Sequence, residues 1–206
     1  MLLVCAEGVL KVIEAIVNGI ALEFETAIAG RDTIFSPLCL DKGTLAMLST
    51  IEFTAEDKVL DLGCGYGFVG IYAAKQIGEQ NVVMSDIDDK CVKISKTNAV
   101  KNMVGGVKII QSDGFKDIHD KDFTLILSNP PYHADFSVPK HFIEKGFNRL
   151  QIGGKMLMVT KRKDWYRNKL AAIFGGVKVS EIDGYFVFCA EKRGSDYAKK
   201  PKKGRV

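Results

Sequence analysis

The sequence predicts an α/β fold with a doubly wound, mostly parallel sheet that ends in a C-terminal antiparallel hairpin strand. Five β-rich runs alternate with helical stretches between residues 58 and 160, and such alternation requires parallel strands joined by crossover helices. Further along, Asp183-Gly184 separates two more β-rich runs, which is typical of a hairpin. With 206 residues and 47% apolar content, the chain can form one domain with a full core.

The elements are predicted in order from their periodicity. Residues 6–18 show a helical period, residues 20–34 suggest a short hairpin around Gly30-Arg31-Asp32, and a helix is expected at about 42–51. The later strands are predicted at 58–62, 81–85, 107–111, 124–128, 155–160, 177–182 and 185–190. The helices between them are predicted at 69–77, 89–102, 139–150 and 165–174. This alternation of strand and helix is the Rossmann-like arrangement.

Charge and periodicity divide the chain into three expected segments. Residues 1–34 are an N-terminal helix and short hairpin packed on the core, residues 35–191 are the α/β domain, and residues 192–206 are a basic, disordered tail. The tail carries seven Lys or Arg residues against Asp196, a net charge of +6, which leaves −2 for residues 1–191. Attraction to a polyanion such as RNA is therefore expected from the tail and from local basic patches.

Several classes of protein are excluded by composition. No apolar run approaches the roughly 18–20 residues that span a bilayer, and charges interrupt the first 17 residues, unlike a signal peptide. The five cysteines are scattered without a Cys-x-x-Cys pair, which argues against a disulfide framework or a zinc site. We expect a cytoplasmic protein with no metal and no membrane partner.

A glycine-rich loop follows the first strong strand, in the run Asp61-Leu62-Gly63-Cys64-Gly65-Tyr66-Gly67. Glycines let the backbone take positive φ and pass close beneath a ligand. The stretch from Gly65 to Gly70 also fits the dinucleotide pattern G-x-G-x-x-G. However, a carboxylate at Asp61 would repel a pyrophosphate, whereas it attracts the ammonium and sulfonium groups of S-adenosylmethionine. The loop therefore favours S-adenosylmethionine, with a dinucleotide or a purely structural turn as alternatives.

Two further carboxylates stand at the ends of the next strands. Asp86 lies about 20 residues beyond the glycines, where an acid can accept from both ribose hydroxyl groups. Its alternative role is a helix N-cap, for which Asp88 is better placed. Asp113 follows the third strand and can accept from the adenine amino group, or can be a simple turn residue. Both positions are predicted to bind the cofactor.

The segment Leu127-Ser128-Asn129-Pro130-Pro131-Tyr132 closes the fourth strand, facing the same crevice as the glycine loop. An amine conjugated to a ring must pyramidalise and gain positive charge to attack a methyl group. The Asn129 oxygen and a carbonyl oxygen of Pro130 or Pro131 can accept its two hydrogens, and the prolines stiffen the loop. Tyr132 offers a ring for stacking a planar target. These four residues are predicted to be catalytic, and the alternative is a proline turn that only closes the strand.

These two motifs resemble motifs I and IV of class I amino-methyltransferases. Upstream, Phe35-Ser36 with Leu40-Asp41-Lys42-Gly43-Thr44 is similar to the entry segment of the methyltransferase small domain family, which includes ribosomal RNA guanine-N2 methyltransferases. The resemblance runs from about residue 35 to 190. It implies that Asp41, Gly43 and Thr44 line the methionine end of S-adenosylmethionine, and Asn129 is also predicted to bind the cofactor. From the residues alone, Asp41 is equally a helix N-cap.

The resemblance also bears on the substrate. His133 directly after the tyrosine is similar to the guanine-N2 members, whereas two-domain ribosomal enzymes commonly have phenylalanine in place of Tyr132. The predicted function is therefore guanine-N2 methylation of ribosomal RNA, and adenine-N6 methylation of RNA or DNA and glutamine-N5 methylation of a protein stay open. His133 is expected to shape the pocket or touch RNA, since the methylated amine loses its proton without a dedicated base.

A run of cations and aromatics follows the fifth strand. Lys161, Arg162 and Trp165 are predicted to contact RNA through phosphates and stacking, as is Tyr132. The alternative interpretation is an ordinary solvated surface.

Overall fold

The computed structural model describes residues 2–5, 8–28, 40–130 and 135–198. In this part of the chain the strands are β1 (Leu2–Cys5), β2 (Gly8–Val17), β3 (Ile20–Ile28), β4 (Val59–Leu62), β5 (Val82–Asp86), β6 (Lys108–Gln111), β7 (Phe123–Ser128), β8 (Leu150–Thr160), β9 (Lys178–Ile182) and β10 (Tyr185–Glu191). The α-helices are α1 (Lys42–Leu48), α2 (Phe68–Ile77), α3 (Asp89–Lys101), α4 (Ser137–Arg149) and α5 (Lys163–Phe174).

Seven strands form one sheet in the order β6-β5-β4-β7-β8-β10-β9. The pairs from β6 to β8 are parallel, and β10 runs antiparallel to both β8 and β9. The Asp183-Gly184 turn has φ of 49° and 78°, as a two-residue hairpin requires. The predicted fold class is confirmed. The strand order reverses between β4 and β7, and ligands bind such sheets at this switch point.

Two apolar clusters cover the two faces of the sheet. One includes Met47 of α1 and Ile71 of α2, and the other includes Phe147 of α4 and Leu170 of α5. Each of these four side chains is at most 1% exposed. Covering both faces explains why the parallel strands read as continuous apolar runs.

The N-terminal prediction was wrong: residues 8–17 form strand β2 instead of a helix. Its partner β3 pairs with it from Val9↔Ile28 to Val17↔Ile20. The turn is Asn18-Gly19, with both residues at positive φ, and Asn-Gly between β-rich runs is a strong hairpin signal. The apolar residues that suggested a helical period do not share one buried face, because Ile13 is 8% exposed and Ile16 is 77% exposed. The hairpin predicted around Gly30-Arg31-Asp32 lies outside the described residues.

Side chains of α3 hold this hairpin against the domain. Asn98 accepts from the Glu25 N–H (2.8 Å) and donates to both the Glu25 carbonyl (3.0 Å) and the Tyr66 carbonyl (2.8 Å). Asn102 repeats the pattern one turn later on Glu23, at 3.1 and 2.7 Å. These side-chain amides make the hydrogen bonds to β3 that a neighbouring strand would make. Asn98 also links the hairpin to the glycine loop through the Tyr66 carbonyl.

The start of the predicted disordered tail is in fact packed. The Lys192 Nζ donates to the Leu150 carbonyl (2.7 Å), and the residue is 9% exposed. The Tyr197 ring meets Phe147 edge-on at 5.0 Å. The Ala198 N–H donates to the Ile173 carbonyl (2.9 Å). Partners on α4, α5 and the start of β8 therefore hold residues 192–198 in place, and residues 199–206 lie outside the described part.

None of the described helices combines the length and the apolar character needed to cross a membrane.

Candidate active site

A cavity of about 380 Å³ lies at the switch point of the sheet. Its walls come from the ends of β4 to β7 and from α1 and α4, and most of the predicted cofactor residues line it: Asp41, Thr44, Asp61, Gly63, Gly65, Asp86, Asp113 and Asn129. Pro130 also lines it. The volume is within the range of small-molecule sites. Distant parts of the sequence thus meet around one ligand-sized space.

The cavity is strongly acidic. Five aspartates line it and, among the described lining residues, there is no Lys, Arg or His. Such a wall repels a pyrophosphate and attracts a cation. No three described His, Cys, Asp or Glu side chains are arranged to hold a metal ion. The charge of the site fits an organic cation such as a sulfonium or an ammonium.

Four backbone N–H groups of the glycine loop donate hydrogen bonds to acceptors within the protein. Gly63 and Cys64 donate to the Ser85 carbonyl, both at 2.9 Å, and Gly67 donates to the Cys64 carbonyl (2.9 Å). Gly65 donates to Asp86 Oδ2 (2.9 Å). A dinucleotide loop instead presents free N–H groups to the phosphates. The backbone geometry therefore opposes the dinucleotide alternative for the same loop.

Close packing fixes the start of α2. A Cβ atom at Gly70 would lie 2.4 Å from Met84 Cγ, so only glycine lets the helix approach β5. The Gly70 N–H donates to Asp61 Oδ2 (2.8 Å). Burial raises the pKa of Asp61 to about 7, the Gly70 bond opposes that rise, and the charge of Asp86 adds to it. Asp61 is thus a buried carboxylate that a bound cation would help to ionise.

Asp86 and Asp88 have different roles. Asp88 accepts from the Lys90 N–H (2.8 Å) as the N-cap of α3. Asp86 accepts from the N–H groups of Gly65 (2.9 Å) and Asp88 (3.0 Å), and burial raises its pKa. Each carboxylate oxygen has a second acceptor position, so Asp86 can still accept from a ligand. Its binding of the ribose hydroxyls stays a prediction.

The part of the cavity around Asp113 contains residues that sequence reasoning missed. Asp113 is exposed and lines the cavity, and its binding of the adenine amino group stays a prediction. Ile87, 63% exposed, and the apolar side chains of Val138 and Phe142 also line the cavity. In the sequence, the signal for Ile87 was its position directly after Asp86. Val138 and Phe142 belong to α4, a distant segment, and had no such signal. Together they offer apolar surface for a planar ring.

Asn129 is held in one orientation. Its Nδ2 donates to Asp41 Oδ1 (2.7 Å) and to Thr44 Oγ1 (2.9 Å). Both acceptors belong to the start of α1, where Asp41 is also the N-cap and accepts from the Thr44 N–H (2.8 Å). Asn129 Oδ1 is buried and has no hydrogen-bond donor among the described residues. An unpaired buried acceptor is costly, which makes this oxygen a candidate ligand-binding atom.

The remaining predicted residues stand around this cavity. Gly43 packs behind it, where a Cβ atom would come within 2.8 Å of the Tyr185 ring. Gly67, at φ of 96°, is the N-cap of α2. Lys161, Arg162 and Trp165 do not line the cavity but flank it at the end of β8. Pro131, Tyr132 and His133 lie outside the described residues.

A stacked group joins Phe136, four residues beyond the motif segment, to α5. The Phe136 and Trp165 rings stack at 4.5 Å, and the Arg162 guanidinium lies 5.0 Å from the Phe136 ring centroid. Phe136, 37% exposed, follows the motif segment and was not predicted from sequence. The group holds Phe136 against Arg162, just beyond the end of β8, and against Trp165 of α5.

Curated relatives share most of this domain. The uncharacterized protein YbxB of Bacillus subtilis is 32% identical over 165 residues, which are 77% of this chain and 82% of that protein. The ribosomal RNA small subunit methyltransferase C of Haemophilus ducreyi is 35% identical over 153 residues, 70% of this chain and 45% of that protein. The chain thus spans about half the length of several named methyltransferases that it matches.

A solved structure has the same architecture. The 16S rRNA N2 guanine methyltransferase RsmC of T. thermophilus, in complex with AdoMet and guanosine, superposes with a TM-score of 0.79 at 25% identity. The match covers 89% of this chain and 51% of that one. In addition, the model of the methyltransferase small domain matches residues 25–189. The chain therefore belongs to the methyltransferase small domain family.

Proposed function

We propose that this protein transfers a methyl group from S-adenosylmethionine to the exocyclic N2 amino group of a guanine in ribosomal RNA. The observation that carries the proposal is the buried Asn129 Oδ1, which has no donor among the described residues and borders an acidic cavity. Family membership and the named ribosomal RNA methyltransferases among its relatives support it.

The cavity fits S-adenosylmethionine in charge and shape. When bound, this cofactor supplies an electrophilic methyl group on a sulfonium. Asp61 and Asp41 would face its cationic amino-acid end, while Asp86 would accept from its ribose hydroxyls. Asp113 would accept from the adenine amino group, beside the apolar surface of Ile87 and Phe142. A cation bound near Asp61 would offset the burial that raises the pKa of this carboxyl.

Asn129 would act on the amine of the substrate. Since its Nδ2 is committed to Asp41 and Thr44, its oxygen is fixed as an acceptor for one amine hydrogen. The Pro130 carbonyl would accept the other. Two acceptors aim the nitrogen lone pair and stabilise the positive charge that forms as the amine pyramidalises. The proton then leaves the methylated nitrogen to solvent, so no dedicated base is needed.

The target base would be held outside the cofactor cavity. Tyr132 would stack on it, with Pro131 shaping the loop and His133 lining the same pocket. Lys161, Arg162 and Trp165 would contact the flanking RNA, and the stacked Phe136 would keep these groups near the motif. RNA recognition by stacking on aromatic and guanidinium planes is common.

The test is a transfer assay. The protein is incubated with radiolabelled S-adenosylmethionine and separate pools of ribosomal RNA, DNA and protein, and labelled nucleosides are identified after digestion. We expect label in RNA, as N2-methylguanosine. Label in N6-methyladenosine would show that the target base is adenine. Label in glutamine residues of protein would show that the substrate is a protein and not RNA.

A further inference from the structure

We propose that Tyr185, at the start of β10, is a positioning residue for methyl transfer: its ring holds the first turn of α1 in the place where Asp41 orients the Asn129 amide. The inference rests on the proposed function, because it concerns the support of the same reacting group. Tyr185 is not one of the described residues that line the cofactor cavity. Its effect on the reaction would therefore pass through α1.

The alternation of β10 directs the Tyr185 side chain toward α1. Residues two apart on a strand share a face, and Val187 is buried in the same apolar cluster as Met47 of α1. Tyr185 packs against this cluster as well. By contrast, Phe186 packs against the cluster on the opposite face, with α4 and α5. Tyr185 thus lies on the face of the sheet that α1 covers.

The Tyr185 ring meets α1 at a glycine. A Cβ atom at Gly43 would lie 2.8 Å from Cδ1 and 2.9 Å from Cε1 of this ring, and 3.0 Å from Asp41 Oδ1. The ring and the carboxylate therefore crowd the same side of Gly43, and only glycine leaves room for both. Because a close-packed interior transmits such displacements, the position of the ring limits the position of the carboxylate.

Asp41 connects this contact to the reacting half of the site. Its Oδ1 accepts from Asn129 Nδ2 (2.7 Å), and from the N–H (2.8 Å) and the hydroxyl (3.2 Å) of Thr44. A shift of this one oxygen would move the Asn129 amide or lengthen its hydrogen bond. Since the amide group is planar, the buried Asn129 Oδ1 would turn together with Nδ2. The direction of the proposed amine acceptor thus depends on where α1 begins.

The Tyr185 ring is itself held in place. The Lys161 ammonium lies over the ring, 4.9 Å from its centroid, in a cation–π contact. Tyr185 also follows the Asp183-Gly184 turn directly and pairs with Ile182 across the hairpin. A two-residue turn fixes the register of both strands. The ring therefore has the defined position that a support for α1 requires.

The test measures the single-turnover rate of methyl transfer at saturating S-adenosylmethionine and RNA, with RNA that the wild type methylates. Tyr185→Ala should lower this rate about tenfold, since a small misplacement of a reacting group is costly in rate. Tyr185→Phe keeps the ring and should restore the rate. The affinity for S-adenosylmethionine, measured by calorimetry, should change much less than the rate. Tyr185→Leu keeps most of the apolar area and gives the same measurement if the alanine variant does not fold.

Gly43→Ala tests the same contact from α1. The added methyl group must displace the ring or the carboxylate, so the rate should fall by about tenfold. In the Tyr185→Ala background the same change should cost less, because the ring that it displaces is gone, and residues in contact are not additive. Additive losses would show that the two positions act independently and would overturn the proposal.

A second double-mutant comparison separates positioning from a purely structural role. If Tyr185 acts through Asn129, Tyr185→Ala should lower the rate no further in the Asn129→Ala background. A loss of the same size in both backgrounds would overturn the proposal, because it would show that Tyr185 does not act through the amide.

The matched control is Phe186→Ala. It removes a neighbouring half-buried ring that also lies under a lysine, 4.9 Å from Lys163 Nζ, but packs on the face away from α1. It should keep the wild-type rate. A wild-type rate for Tyr185→Ala beside a collapsed rate for Asn129→Ala would overturn the positioning role alone. A wild-type rate for Asn129→Ala, or methyl transfer to protein instead of RNA, would overturn the proposed function.

Discussion

In the glycine-loop half of the cavity, the N–H groups of Gly63, Cys64 and Gly65 all donate to protein acceptors, whereas in the other half Asn129 keeps a buried oxygen without a described donor. In the first half the backbone N–H groups are satisfied before a ligand arrives, so the ligand meets carboxylate acceptors and the shape of the loop there. The second half holds an acceptor whose partner must come from outside. We therefore propose that the first half binds the cofactor and that the second half carries out the chemistry.

Removing the Asn129 acceptor should give the largest effect on this comparison. Asn129→Ala is expected to lower the rate of methyl transfer by about 10²–10³, because its oxygen acts as the amine gains charge. Affinities for S-adenosylmethionine and RNA should change little. Single-turnover kinetics measure the rate of methyl transfer, and calorimetry measures the two affinities. As a control, Asn148→Ala on the exposed side of α4 should keep the wild-type rate, and a rate near wild type for Asn129→Ala would refute the amine mechanism.

Removing the Asp86 carboxylate should produce the opposite pattern. Asp86→Ala is expected to weaken S-adenosylmethionine binding by about 1–3 kcal/mol, with a smaller effect on the rate at saturating cofactor. Asp88→Ala removes a neighbouring acid that lines the same cavity but serves α3 as its N-cap. It should lower the free energy of unfolding by about 1 kcal/mol and leave cofactor affinity largely intact. Equal cofactor affinities for Asp86→Ala and wild type would remove Asp86 from the site.

Changing the pH should show how the ionisation of the buried Asp61 affects cofactor binding. Because burial raises its pKa to about 7, the carboxyl is largely ionised near pH 8 and protonated near pH 6. Cofactor affinity should therefore fall about tenfold from pH 8 to pH 6, as measured by calorimetry. Asp61→Asn should flatten this profile.

The stability of the cofactor-free protein should respond to Asp61 with the opposite sign. A carboxyl whose pKa is raised on folding favours the folded state when protonated, so its contribution to the free energy of unfolding falls as pH rises from about 4 to 7. Denaturant titration of wild type and Asp61→Asn across this range checks the sign. A cofactor affinity that is constant between pH 6 and 8 would contradict a functional Asp61.

Removing one of the two hydrogen bonds that orient the Asn129 amide should have the smallest effect on the rate of methyl transfer. Thr44→Val deletes one of two acceptors for Asn129 Nδ2 and leaves the Asp41 bond. Since a hydrogen bond contributes about 0.5–1.5 kcal/mol, the rate of methyl transfer should fall up to tenfold, and Thr44→Ser should restore it. A loss of cofactor affinity in Thr44→Val without a loss of rate would move Thr44 from the reacting half to the binding half.

The α/β alternation, the glycine loop and the Asn129 motif could be predicted because each is encoded locally. Glycines at 63, 65 and 67 take positive φ, and parallel strands bring their carboxyl ends to one edge wherever their helices lie. The N-terminal hairpin was also local, yet it was misassigned as a helix. The apolar residues of β2 are compatible with both a helical and a strand period in so short a run, and the Asn18-Gly19 turn is the local signal that favours the hairpin.

The sequence by itself therefore determined the fold class, the acidic character of the cofactor loop and the identity of the amine motif. Tertiary structure alone decided that the N-cap of α1 fixes the Asn129 amide, because Asp41 and Asn129 are 88 residues apart. It also decided that Asn98 joins the hairpin to the glycine loop. Such contacts depend on the order of strands in the sheet, which no local pattern of residues specifies.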